Sequence, residues 1–145
     1  VTLGLRLAIY TTDYHDERTL WESVIEAAPE RAHGFGYYGA TLLEEGEPAA
    51  AVPPLRRASE LDPSEHRYLS QLGWALLPSG DRQGALDVAA TGIHRYELAG
   101  EFHALAIQAL IDIRPDLAEK HLSTCLTEEP ARSECLEIGA RLGLL

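Results

Sequence analysis

The chain of 145 residues contains no methionine, two cysteines, a single lysine and no apolar run long enough to cross a bilayer. Each shortage removes a class of protein. Two thiols, Cys125 and Cys135, are too few for a disulfide framework. One bridge between them stays open, beside the commoner role of a buried thiol as a small hydrophobe. The formal charge is −11, with acidic residues spread along the chain rather than gathered in a tail. Such a field repels phosphate backbones and excludes nucleic acid as a partner; most of these charges read as a solvated helical surface.

Chemistry is missing as well. The sequence has no GxSxG, no HExxH, no phosphate loop and no dinucleotide fingerprint. Its six histidines show no zinc spacing. His121 and Cys125 lie four residues apart on one helix face and would need two further ligands to hold a metal. Glu44-Glu45 and Glu128-Glu129 sit at helix ends and read as solvated. No nucleophile stands with a base and an orienting acid. Neither enzyme activity, metal nor cofactor is expected.

What is present is a period. After a shift of 34, Gly39 falls on Gly73, Leu42 on Leu76, Gly46 on Gly80 and Ala51 on Ala85. A further shift of 33 brings Ala106, Ala109 and Ala118 to the same places. Pro29 and Pro63 are 34 apart, and Pro130 lies 67 beyond, with Glu97 in the slot between. A repeat of this length is the mark of a solenoid of paired helices. Nothing in the chain asks for a strand.

In chain order, residues 1–11 read as a short, nearly apolar helix, broken only by Thr2, Gly4 and Arg6 up to Tyr10. That stretch fits a buried first helix or the stub of a removed membrane or signal segment, the latter in keeping with a processed chain or excised fragment. Asp13 offers a cap to a second helix over 14–28, in which Trp21, Val24, Ile25 and Ala28 share a face before Pro29 stops it. The division expected is a degenerate helix pair over 1–31, repeats over 32–65, 66–98 and 99–132, and a capping helix over 133–145. In the first repeat Pro53 and Pro54 lie where the returning helix should have its middle. Interior prolines disfavour a helix, so either the returning helix starts at Pro48 and is kinked, or residues 48–52 form a separate turn and the helix begins at Pro53, the second reading being preferred. In the second repeat Pro78, Ser79 and Gly80 make the turn and Asp81 caps the returning helix. The third carries Phe102, Leu105, Ala118, Leu122 and Cys125, with Pro115 in a first turn.

Over residues 19–139 these Gly/Ala, Leu and Pro positions resemble the tetratricopeptide repeat, or TPR. The third repeat departs from it, being one residue shorter in register and having Ala106 for the glycine. The resemblance implies an all-α fold, a right-handed α-solenoid of antiparallel helix pairs: about three repeats, an N-terminal helix pair and a C-terminal capping helix. Trp21, Glu22, Ala28, Pro29, Arg31 and Ala32, followed by Tyr38 and Gly39, also resemble the junction in bacterial membrane proteins that carry TPR tails. One lysine against eleven arginines is in keeping with a GC-rich bacterial genome.

TPR arrays wrap a concave surface, made by the leading helix of each pair, around a peptide or a partner's helix. The resemblance puts Tyr37, Leu43, Trp74, Leu77, Ile107 and Ile111 on that groove, with His33, Ala40, Arg67, Ser70, Gln71 and His103 beside them. His33 and His103 would then make binding sensitive to pH. The surface is apolar, with aromatic residues suited to anchoring a partner. The basic clamp of chaperone-tail-binding TPR domains is absent, Arg67 being the one firm positive charge, so an acidic peptide tail is disfavoured. The function implied is a non-enzymatic protein-interaction module binding an apolar or amphipathic peptide or helix. Two alternatives stand beside it: a structural or regulatory tail of a larger membrane protein such as a glycosyltransferase, tethered through a preceding segment, and a self-associating scaffold. Either the cytoplasm or the periplasm suits these readings.

Overall fold

The computed structural model describes residues 17–97, 99–127 and 132–145. The helix expected over 1–11, the Asp13 cap and the residues Glu128, Glu129 and Pro130 lie outside them. The described residues form helices and no strands: α1 (Glu17–Ala27), α2 (Ala32–Glu44), α3 (Pro48–Leu61), α4 (His66–Leu76), α5 (Arg82–Arg95), α6 (Gly100–Leu110), α7 (Pro115–Thr127) and α8 (Arg132–Arg141). Helices α2, α4 and α6 start 34 residues apart, and α3, α5 and α7 start 34 and then 33 apart. None is long and apolar enough to cross a membrane.

Local chemistry sets the helix ends. Gly46 and Gly80 have φ of +78° and +89°, a left-handed conformation that glycine adopts without a Cβ penalty. Each lets the following amide reach back: Glu47 N–H donates to Leu42 O at 2.8 Å and Asp81 N–H to Leu76 O at 3.0 Å. The Asp81 carboxylate then accepts the Gly84 N–H at 2.8 Å and starts α5 as expected. Helix α3 is continuous from Pro48, with Pro53 and Pro54 inside it, which corrects the separate turn expected over 48–52. The carbonyls that the two prolines cannot bond are those of Ala49 and Ala50, both exposed to water. Burial of Ala51, Pro54, Leu55 and Ala58 on the opposite face outweighs the missing bonds.

Two apolar clusters hold the pairs together. One joins Leu42, Leu55, Leu69, Leu72, Leu76, Phe102 and Leu105; the other joins Ile107, Leu110, Leu122, Cys125, Cys135 and Ile138. Each large side chain so buried contributes about 1.5–3 kcal/mol. Small residues let the helices approach: a Cβ on Gly73 would run into the Leu105 side chain. Tyr96 stacks on Phe102 at 5.6 Å and donates its hydroxyl to Pro63 O at 2.7 Å, tying the end of α5 to the turn after α3.

Leading helices also touch one another, α2 against α4, α4 against α6 and α6 against α8, whereas α3, α5 and α7 make no row of comparable contact. This closer row is the inner row of the two. Helix α8 extends that row and is held to α7 by a disulfide between Cys125 and Cys135, whose Cα atoms are 6.1 Å apart. The two cysteines are therefore bridged rather than acting as separate small hydrophobes.

Candidate partner-binding groove

Trp74, on α4, packs against both apolar clusters and keeps part of its surface open. It lines a cavity of about 290 Å³ with Glu101 and Ala104 of α6 and Glu134, Glu137, Ile138 and Arg141 of α8. Trp74, Ala104 and Ile138 give the cavity an apolar floor, and three carboxylates stand on its walls. Glu101 Oε1 lies 2.6 Å from His66 Nδ1. Arg141 donates to Gln108 Oε1 at 3.2 Å. The fold thus brings residues from three successive leading helices to one hollow.

A smaller recess of about 60 Å³ lies further along the inner row, lined by Gly36, Tyr37, Ala40, Arg67, Tyr68 and Gln71. Tyr37 is half exposed and stacks on Trp21 of α1, with ring centroids 4.6 Å apart and planes 13° apart. Arg67 grips the carboxylate of Glu65 through two nitrogens, at 3.0 and 3.1 Å. The bonded guanidinium holds Glu65 below the usual carboxylate range. Since Arg67 is already paired, it is a weak anchor for an incoming anion.

Other residues expected on the groove lie elsewhere. Leu43 and Leu77 are partly buried against the first cluster and Ile111 against the second; they line neither recess. Ile107 and His103 are 0% and 3% exposed, and Ser70 is buried too. This corrects their assignment to a solvent-facing surface. Ile107 shares a cluster with Cys135 and Ile138 of α8, which packs on α6 as a further leading helix; with α5 and α7 also against it, nine of the eleven residues of α6 are buried. His103 faces α7, its Nδ1 being 3.2 Å from His121 Nδ1, and so does not border the groove. Cys125, considered with His121 as a metal pair, is held in the disulfide. Sequence reasoning missed Glu101, Glu134, Glu137 and Arg141. Their signal was the three- and four-residue spacing of Glu134, Glu137 and Arg141 on one helix face.

The same arrangement of helices occurs in solved structures. MamA superposes with a TM-score of 0.74 at 16% identity, over 93% of this chain and 90% of its own. YrrB, described as a TPR protein with an unusual peptide-binding site, superposes with a TM-score of 0.76 at 20% identity, over 93% of this chain and 70% of its own. The chain has the tetratricopeptide-repeat fold. In sequence, this TPR array is 43% identical over 70 residues to TPR repeat-containing protein PA4299 of Pseudomonas aeruginosa. The match takes in 47% of the array and spans 27% of that relative's length. No protein-family model matches the array.

Away from the inner row, the TPR array has a wider hollow of about 440 Å³ between α1, α2 and α3. Ile25, Phe35, Pro53 and Pro54 give it an apolar lining, and Glu22 and Glu26 are its charged members. The Tyr38 hydroxyl there donates to Glu22 at 3.0 Å. It is larger than the Trp74 cavity, but only the latter joins three leading helices and carries polar groups of both signs.

Proposed function

We propose that this TPR array is a non-enzymatic interaction module that takes a peptide or helix of a partner protein along the row α2, α4, α6 and α8. The carrying observation is the cavity at Trp74, where an aromatic side chain and an apolar floor stand among charged groups. Such a hollow suits a partner's apolar side chain, and a tryptophan at its centre is a typical anchor. The peptide-binding site named for YrrB, whose fold is shared, supports the reading. Tyr37 and Gln71 in the smaller recess would guide the segment along the same row.

Fluorescence tests it. Trp21 and Trp74 are the two tryptophans, so Trp21→Phe leaves Trp74 as the reporter. Phenylalanine preserves a ring to stack on Tyr37. Peptides selected for binding from a random display library should shift Trp74 emission and compete with one another. Bound peptides that leave Trp74 emission unchanged would remove the groove from consideration.

A further inference from the structure

We infer that the Trp74 cavity is built for a basic residue of the partner, arginine or lysine, set beside an apolar one. The inference deepens the groove reading and rests on it. Among the described lining residues, Glu101, Glu134 and Glu137 face Arg141 alone. The Arg141 guanidinium is engaged by Gln108 on α6. Among the described residues Glu134 accepts the hydroxyl of its neighbour Ser133 at 2.8 Å, and Glu101 lies against the His66 ring at 2.6 Å. The hollow therefore carries an excess of negative charge around an apolar floor, on a chain of formal charge −11. A long basic side chain answers both features at once. Its methylene stem covers Trp74 and Ile138, while its cationic end stays wet among the carboxylates. A neutral apolar side chain would satisfy the floor and leave the rim unanswered; an acidic one would be repelled. The cavity can hold such a stem: about 290 Å³ is roughly the lower size of a small-ligand site.

The absence of a basic clamp for acidic tails fits this choice. Arg67, the positive charge nearest to that role, is occupied by Glu65.

The test is the same random display library, panned on the Trp21→Phe chain and on a Glu134→Gln, Glu137→Gln version of it. Both glutamates are exposed on α8, so neither change disturbs the core. Peptides from the first selection should be enriched in arginine or lysine next to an apolar residue and should shift Trp74 emission. Resynthesised with glutamate at the basic position, they should bind roughly tenfold or more weakly at low salt, a gap that narrows as salt screens the charges. On the Gln variant that preference should largely vanish while the apolar contribution remains. Peptides that shift Trp74 emission but carry no basic enrichment would overturn this inference and leave the groove reading standing. A basic preference that survives in the Gln variant would also overturn it. Binders that never touch Trp74 would overturn the groove reading, and this one with it.

Discussion

At the scale of single residues, small and polar side chains decide what the leading helices can meet. Gly73 admits Leu105 because it has no Cβ, and the glycine itself is legible in the sequence as part of the period, in register with Gly39. His103 was not legible. Its place on a leading helix suggested a groove, yet it lies in the core against His121. Burial holds the His121 pKa below its ordinary 6.5, and the nearby His103 and Lys120 charges lower it further. Below about pH 6.5 the unfolded chain takes up a proton that the folded chain resists, so folding stability falls as pH falls through that window. Above it the contribution is constant. The urea midpoint should therefore decline from about pH 6.5 downward, ahead of the carboxylates, and His121→Gln should flatten that part of the curve. An unchanged slope in His121→Gln would mean that the histidine pair does not couple to folding.

At the scale of elements, the period announced paired helices, and the helices start at that spacing. It could not announce that α8 joins the inner row. A helical pattern tells which face is apolar, not which neighbour covers it, and so Ile107 read as groove while it is core. The two cysteines posed the same difficulty: only the packing of α8 on α7 brings their Cα atoms within bridging range. The rule against interior prolines left α3 between two readings and favoured the wrong one, because exposure of one face and burial of the other override it. The disulfide closes a loop with a sequence separation of 10, worth about 3 kcal/mol to the state in which α8 is seated. Ile138 on that helix, with Leu142 and Leu144 just after it, adds an apolar hold. Under reductant, amide exchange should quicken in α8 and leave α2 to α5 as they were. Because α8 is one wall of the cavity, Trp74 emission in the Trp21→Phe chain should move with it. Exchange unaffected by reductant would show that packing alone seats the helix.

At the scale of the whole molecule, an inner row can serve a partner only if a second copy does not already fill it. Apolar residues do reach the surface: Tyr37 in the smaller recess, Ile113 in the turn before α7, Leu136 on α8 and Leu145 after it. They are few among the described residues, and single exposed apolar residues are ordinary on a monomer. Charge opposes pairing. Two chains of formal charge −11 repel each other, most strongly where Glu101, Glu134 and Glu137 would have to be buried face to face. Light scattering over a concentration series should thus give a constant monomer mass at low salt, and the same mass when salt screens the repulsion. A dimer present at low salt would mean that the apolar surface wins and the groove is shared between copies. A dimer appearing only at high salt would place the contact at the C-terminal end, and Leu136→Glu should then abolish it. Either dimer would move self-assembly ahead of peptide binding, whereas a monomer under both conditions leaves the cavity at Trp74 open to a partner.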